Sequence, residues 1–152
     1  MRLQLTKRTD YAIRACLHLA MQNRCPIPGR RIAEKMSIPD RFLPQVMADL
    51  GRAGIVGAMN GKNGGYCLRR DPAALSLLDL VEAVEGSGRR QECAVRDAPC
   101  DGDPTCSLHP VWAAAQAAFT DVLAGTSIGE LAARQRAADE WIGPSGPERM
   151  HG

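Results

Sequence analysis

Three cysteines and one histidine fall within seventeen residues of the chain, in the spacing C-x6-C-x5-C-x2-H. They are Cys93, Cys100, Cys106 and His109, and the segment between them is rich in Gly, Pro and Asp. Such a segment is too polar to fold around an apolar core, so another interaction must order it. Thiolates and an imidazole are ligands of zinc and of iron–sulfur clusters. The residue types therefore predict a metal centre.

The spacing of these ligands favours a cluster over a single zinc ion. Structural zinc sites draw thiolate pairs from positions about two to four residues apart, whereas the gaps here hold six and five residues. The sequence also has no ferredoxin-like C-x2-C-x2-C run. From the residues alone two other interpretations stay open: cysteines without a ligand role in an unstructured loop, and a pair that forms a disulfide on oxidation.

The remaining cysteines are expected to have structural positions. Cys16 lies in a predicted helix and Cys67 in a predicted strand, where both should pack as small apolar side chains. Cys25 has no evident partner, and His18 should be half-exposed on its helix. Because the N-terminal residues show no signal-peptide pattern, we expect a cytoplasmic protein whose cysteines are reduced or bind metal.

The N-terminal half has the pattern of a winged helix-turn-helix. Helical spacing of apolar residues predicts helices over 8–22 and 29–35, and a third that runs to about residue 53 from an N-cap at Asp40. The second and third helices have the length of a helix-turn-helix. Short strands over 55–58 and 66–68 flank a Gly-rich loop, which predicts a β-hairpin wing.

The C-terminal half is predicted to be helical. A capping box at Ser76 and Asp79 predicts a helix over 77–85. Pro110 suits the first turn of a long helix that follows an N-cap at His109. A last helix of about ten residues should come after it. Together with the N-terminal half, these helices predict a mainly α fold with a small β-hairpin wing: a winged helix-turn-helix domain followed by a long C-terminal helix.

Charge is divided unevenly along the chain. Residues 1–70 hold 13 Lys and Arg against 4 Asp and Glu, whereas residues 71–152 hold 6 against 13. A basic N-terminal half suits a polyanion such as double-stranded DNA. In a helix-turn-helix the start of the second helix enters the major groove, where Arg suits guanine and Gln suits adenine. The predicted DNA-binding residues are Arg41 and Gln45 for bases, Arg30, Arg31 and Lys35 for phosphates, and Lys62, Asn63 and Gly64 in the wing.

Several segments together resemble one known family. They are TDYAIRACLHLA, LGRAGIV, GKNGGYCL, LSLLDLVEAVEG and the cysteine loop followed by LHPVW. In this order, over about residues 1–135, they are similar to the Rrf2 family of bacterial regulators, which includes iron–sulfur sensors of the IscR, NsrR and RirA type. The resemblance implies a homodimeric winged-helix transcription factor that binds a palindromic operator, with the helix after residue 109 as the dimer seam.

The resemblance also implies an iron–sulfur cluster, either [2Fe–2S] or [4Fe–4S]. Cys93, Cys100 and Cys106 match the family's three cysteine ligands. The fourth ligand stays open, since His109 matches the ligand of some members and Asp10 matches an aspartate that others donate from the opposite subunit. Where IscR-type sequences carry a glutamate in the recognition helix, this chain has a proline, so no operator sequence is transferred.

Four segments follow from the pattern and the resemblance. Residues 1–75 are predicted to form the winged helix-turn-helix, 76–107 the linking helix and cluster loop, 108–138 the dimerisation helix and final helix, and 139–152 a disordered tail.

We expect a repressor that senses nitric oxide, iron or cluster status, or redox stress; the alternative is a metal-free thiol redox switch. An enzyme or electron carrier is disfavoured because no catalytic or nucleotide-binding motif occurs, and neither a membrane segment nor a small-molecule substrate is expected.

Overall fold

The computed structural model describes residues 5–22, 24–87, 93, 102 and 104–140. Most of these residues are helical, and one two-stranded antiparallel sheet forms the wing, so the predicted fold class is confirmed. The predicted tail begins inside the last helix, and its residues 141–152 lie outside the described residues. The elements are α1 Lys7–Met21, α2 Gly29–Met36, α3 Leu43–Arg52, β1 Val56–Met59, β2 Gly65–Leu68, a short 3-10 helix Pro72–Ala74, α4 Leu77–Glu85, α5 His109–Gly125 and α6 Ile128–Glu140.

Helix α1 lies at the centre of the fold. Its N-cap is Thr6, whose hydroxyl accepts a hydrogen bond from the N–H of Thr9. The face that packs inward carries small side chains, since Ala12, Ala15 and Cys16 are all fully buried. Small residues let neighbouring helices approach closely, and α1 contacts α2, α3, α4 and α6.

Helix α3 begins later than its sequence suggests. Asp40 was the predicted N-cap, but residues 40–42 form a turn and Phe42 is the cap. The reason is Pro44, which lacks the N–H that would donate to the carbonyl of Asp40 in a helix starting there. The first bond of α3 instead joins the Val46 N–H to the Phe42 carbonyl at 3.1 Å. Arg41 therefore lies in the turn before the recognition helix.

Helices α2 and α3 form the helix-turn-helix on one side of α1. Ile32 from α2 and Leu50 from α3 are fully buried in the common core. Asp49 is also buried, and its carboxylate forms ion pairs with Arg8 of α1 and with Arg52. Removing one partner of such a buried pair leaves an uncompensated charge, so this network fixes α3 on α1.

The wing is attached to the segment that precedes α2. Strands β1 and β2 pair in register from Val56 with Leu68 to Met59 with Gly65. On its other edge β2 pairs with Ile27: the Ile27 N–H donates to the Tyr66 carbonyl at 3.0 Å, and the Tyr66 N–H donates back at 2.9 Å. The wing is thus fixed both to its own hairpin partner and to the entry of the helix-turn-helix.

The C-terminal helices close the core. The capping box at Ser76 and Asp79 forms as predicted, with both reciprocal bonds present. Burial alone would raise the pKa of Asp79, but the hydrogen bonds from Ser76 and the ion pair with Arg70 outweigh it, so this pKa lies below its ordinary value. Leu80 of α4 and Ile128 of α6 are fully buried. Within the described residues no helix is long and apolar enough to cross a lipid bilayer.

Candidate DNA-binding face and metal ligands

The predicted DNA-binding side chains lie on one continuous module and are exposed. Arg30, Arg31 and Lys35 project from α2, and Gln45 projects from the first turn of α3. Arg41 is exposed in the turn between these helices. At the wing tip Lys62 and Asn63 are exposed beside Gly64, where a Cβ would lie 2.2 Å from the Met59 carbonyl oxygen. These exposed cations give the module the surface expected of a duplex-binding face.

Arg41 keeps a defined position although it precedes α3. Its guanidinium carbon lies 4.7 Å from the centroid of the Phe42 ring, a cation–π distance. The Phe42 ring in turn contacts Tyr11 of α1, with 5.6 Å between the centroids. Arg41 is therefore oriented by a chain of aromatic contacts that ends on the central helix.

Arg30 is held more weakly. Its Nε lies 3.0 Å from a carboxylate oxygen of Glu34, and the two side chains are 85% and 61% exposed. An ion pair this exposed contributes little to stability. The Arg30 guanidinium is therefore held only weakly by Glu34.

His18 is buried beneath the cations of α2. The sequence predicts a half-exposed side chain, but its exposed fraction is 8% because α2 covers that end of α1. Burial lowers its pKa from 6.5, and the positive charges of Arg31 and Lys35 lower it further. Its Nε2 has no hydrogen-bond partner among the described residues. His18 is therefore a neutral core residue at pH 7.

The predicted metal ligands are brought together only in part. Cys106 and His109 share one turn at the start of α5, where the His109 N–H donates to the Cys106 carbonyl at 3.2 Å. The helix begins at His109 and its cap is Leu108, one residue before the predicted cap. Cys93 and Cys106 are half-buried. Cys100 lies outside the described residues. Among the described residues, no three His, Cys, Asp or Glu side chains are close enough to hold a metal ion.

Asp10, the other candidate for fourth ligand, is paired within its own helix. Its carboxylate lies 2.8 Å from the guanidinium of Arg14, and the same guanidinium donates to the carbonyl of Met36 at 3.3 Å. Met36 is the last residue of α2. Asp10 thus helps to hold α1 against the turn of the helix-turn-helix, and it would have to leave Arg14 to bind a metal.

The start of the predicted cluster loop is fixed to the N-terminus of α1. Oε1 of Glu85, the last residue of α4, accepts hydrogen bonds from the Thr6 N–H at 3.0 Å and from the Thr9 hydroxyl at 2.5 Å. Because Thr9 is fully buried, its hydroxyl needs this acceptor. Sequence analysis missed the contact, since the two residues are 76 positions apart.

A second missed contact joins Cys25 and Cys67 in a disulfide, with Cα atoms 5.4 Å apart. The prediction that Cys67 is only a packing residue is wrong, and Cys25, for which the sequence shows no evident partner, is bonded to it. The pairing follows from the bridge between Ile27 and Tyr66, which brings the two segments together. Nothing in the local sequence of either segment predicts that bridge.

Comparison with known proteins identifies the family. The family model described as "Rrf2: Iron-dependent Transcriptional regulator" matches residues 5–134. The chain belongs to the Rrf2 family. The transcriptional regulator IscR of Vibrio cholerae is 32% identical over 130 residues, which are 85% of this chain and 75% of that protein. This Rrf2 protein is therefore a DNA-binding transcriptional regulator and not an enzyme.

Solved structures agree on the architecture. CymR of B. subtilis, titled a global cysteine regulator, matches with a TM-score of 0.75 and 24% identity over 88% of this chain and 98% of that chain. IscR of T. potens matches with a TM-score of 0.74 and 22% identity over 93% of this chain and 94% of that chain. These similarities confirm the winged-helix fold of this Rrf2 regulator.

Helix α5 of this Rrf2 regulator leaves apolar side chains on its surface. Val111 is 66% exposed, Val122 67% and Phe119 42%. At about 100° per residue these three positions fall on one side of the helix. No residue of α5 is fully buried within the chain. The helix thus carries an apolar side for which the described part of the chain offers no cover.

Proposed function

We propose that this Rrf2 regulator is an iron–sulfur sensor that represses transcription by binding a palindromic operator as a homodimer. One observation carries the proposal: Cys106 and His109, two of the predicted ligands, are held in one turn at the start of the helix with the exposed apolar side. A cluster bound there would lie at the start of α5, the helix proposed to form the dimer contact. As a DNA-binding regulator the protein would act in the cytoplasm, beside the chromosome.

The chemistry of the donors fits the cluster. Half-buried thiols and an imidazole suit iron–sulfur ligation, and the positive end of the α5 helix dipole favours the negative charge of a thiolate-ligated cluster. Cys93, Cys100 and Cys106 would hold a [2Fe–2S] or [4Fe–4S] cluster, which when bound would supply a centre that reacts with nitric oxide or oxidants or is lost when iron is scarce.

His109 is the better-supported fourth ligand. It is already fixed beside Cys106 by the backbone hydrogen bond, whereas the carboxylate of Asp10 is engaged by Arg14. Asp10 in its present position serves the helix-turn-helix, because Arg14 also bonds to the end of α2. Use of Asp10 as a ligand would break this link.

The homodimer is supported by α5. An exposed apolar stripe on a folded domain marks a surface that is covered by a partner. Val111, Phe119 and Val122 would meet the same residues of a second copy around a two-fold axis, which matches the symmetry of a palindromic operator. The two helix-turn-helix modules would then read the two half-sites.

The contacts of Glu85 provide a route from the loop to the DNA-binding face. Glu85 ends α4 directly before the loop and bonds to both Thr6 and Thr9 at the start of α1. Arg14 extends the connection from α1 to the end of α2. A change in the loop that displaced Glu85 would therefore move α1 against the helix-turn-helix and shift operator affinity, by a factor of about 5 to 150 if the coupling is typical.

The test is anaerobic purification followed by iron and sulfide analysis, absorption and Mössbauer spectroscopy, with operators selected from a random duplex pool. Wild type should be coloured, and Cys93→Ala, Cys100→Ala and Cys106→Ala should each lose iron and sulfide. Cys25→Ala is the control and should keep the cluster. Wild-type protein that holds neither iron nor sulfide and binds its selected duplex at full strength would contradict the proposal.

A metal-free thiol switch is the second candidate. A structural neighbour, S. aureus CymR, is titled as an oxidized form and matches with a TM-score of 0.68 and 23% identity. This candidate predicts colourless protein after anaerobic purification, a disulfide between loop cysteines on oxidation, and a change in duplex affinity when that disulfide forms.

A further inference from the structure

The disulfide between Cys25 and Cys67 is accessible to solvent. Cys25 is exposed and Cys67 is half-buried. The two residues are 42 positions apart, and their Cα atoms are 5.4 Å apart, within the usual range for a disulfide. Disulfides that solvent thiols can reach are the ones that exchange, whereas buried ones are protected. The third cysteine of the N-terminal half shows the contrast, because burial raises the pKa of Cys16 to about 12.

A cavity of about 320 Å³ opens beside the disulfide and is lined by both of its cysteines. Its walls combine apolar side chains, such as Leu19 and Tyr66, with the cationic Arg24 and Arg70. Arg24 is exposed, and Arg70 is partly engaged by Asp79 at 3.2 Å. An opening of this size with guanidinium groups at its edge suits a small molecule that carries carboxylates.

We propose that Cys25 and Cys67 form a thiol–disulfide exchange site for small anionic thiols, with the cavity as the docking position. In the reducing direction the small thiolate attacks Sγ of the exposed Cys25. The bond between the two protein sulfurs breaks, and Cys67 leaves as a thiolate that takes up a proton. A second small thiolate then attacks the small-molecule sulfur of the mixed disulfide. Cys25 leaves as a thiolate that takes up a proton, and the small-molecule disulfide is released, so two electrons pass to the protein.

The oxidising direction is the reverse of these steps. A small-molecule disulfide accepts the two electrons, and the protein returns to its cross-linked form with release of two small thiols.

The exchange site is separate from the loop that carries Cys93, Cys100 and Cys106, and the proposal holds whether or not that loop binds a cluster. It depends only on residues of the winged helix-turn-helix.

The exchange acts on the attachment of the wing. Cys25 lies four residues before the start of α2, and Cys67 lies in β2. In the oxidised form the wing is joined to the helix-turn-helix by the disulfide and by the two hydrogen bonds between Ile27 and Tyr66. In the reduced form only the hydrogen bonds remain, so the wing is less firmly positioned.

The exchange can be measured on the full chain with glutathione as the anionic probe. Protein is equilibrated in glutathione buffers of increasing oxidised fraction, free thiols are alkylated, and peptides are mapped by mass spectrometry. We expect a Cys25–Cys67 cross-link that is gained and lost reversibly, together with a glutathione adduct on Cys25. A pair that stays fully reduced or fully cross-linked in every buffer would overturn the proposal.

The role of the cavity is tested by removing the charge of Arg24 and comparing the rates of reduction by two thiols. Arg24→Gln should slow reduction by glutathione about two- to fivefold more than reduction by 2-mercaptoethanol, whose thiolate carries no carboxylate; this is the effect of one exposed charge. Arg134→Gln, on α6, is the control for net charge and should change neither rate. Equal effects of Arg24→Gln on both thiols, or none on either, would contradict docking in the cavity, and both measurements are independent of the cluster and of DNA.

Discussion

The buried hydroxyl of Thr9 donates a hydrogen bond of 2.5 Å to Oε1 of Glu85. This contact joins the first turn of the central helix to the residue that precedes the predicted cluster loop. Helix α1 in turn contacts both helices of the helix-turn-helix. Under the proposed function, a change in the loop would reach the helix-turn-helix through this contact.

Replacing Thr9 by Val keeps the shape of the side chain and removes the donor. We expect the free energy of unfolding to fall by about 1–2 kcal/mol, because the bond is lost and the carboxylate beside it loses a partner. Urea denaturation followed by circular dichroism measures the change. Thr126→Val is the matched control: its hydroxyl donates to the Val122 carbonyl at 2.9 Å in an exposed position, so stability should change little. Equal losses in the two variants would argue against a special role for Thr9.

The fourth ligand can be assigned by spectroscopy. We expect His109→Ala to change the absorption and Mössbauer spectra of the anaerobic protein, because His109 is fixed beside Cys106. Asp10→Ala should leave both spectra unchanged and should weaken operator binding, because Arg14 loses the carboxylate that orients it. The assignment reverses if the spectra respond to Asp10→Ala alone.

Substitutions of Arg41 and of Lys35 should weaken DNA binding in different ways. Arg41→Ala should lower operator affinity by about 1–3 kcal/mol and relax the preference at one base-pair position, as expected of a base contact. Lys35→Gln should lower affinity for all duplexes and reduce the slope of log K against log salt by about one. Binding isotherms at several salt concentrations measure both, with Arg134→Gln as a control that changes neither. Identical behaviour of the Arg41 and Lys35 variants would contradict the division of roles.

Buried His18 should make stability depend on pH below neutrality. Its pKa in the folded protein lies below the ordinary 6.5, so below pH 6.5 the unfolded chain takes up a proton that the folded protein does not. The free energy of unfolding therefore falls as the pH drops from 6.5 to the folded pKa, and above 6.5 this loss is absent. In His18→Gln that part of the pH dependence should disappear. Parallel stability curves for the two proteins would show that His18 does not titrate in this way.

Gly65 is required by the attachment of the wing. Its φ is +155°, and a Cβ there would lie 2.2 Å from the Ile27 carbonyl oxygen. Gly65→Ala should therefore break the bridge between Ile27 and Tyr66 and cost about 1–3 kcal/mol more than backbone strain alone. Gly61→Ala is the control, since Gly61 has φ +109° but open space around its Cβ position. Thermal unfolding and amide exchange at Tyr66 measure the difference in stability between the two variants. Equal losses of stability would show that a Cβ at position 65 does not clash with the Ile27 carbonyl oxygen.

Features of the fold that depend on residues close together in the sequence could be predicted from the sequence. The spacing of Ala12, Ala15 and Cys16 shows which face of α1 packs inward, and Ser76 with Asp79 shows where α4 begins. These features depend on hydrogen bonds and side chains within one turn of a helix, which a short stretch of sequence contains in full. The late start of α3 is of the same kind, because the missing N–H of Pro44 is visible in the sequence and its consequence was overlooked.

What only the tertiary structure decided are the contacts between segments far apart in the chain. The disulfide between Cys25 and Cys67, the burial of His18 under α2 and the bond from Thr9 to Glu85 each depend on how complete elements pack. Helical or strand periodicity states which face of an element is apolar and does not state which partner covers it. Residue types alone therefore identified Cys93, Cys100 and Cys106 as candidate ligands, and only packing determined that Cys25 meets Cys67.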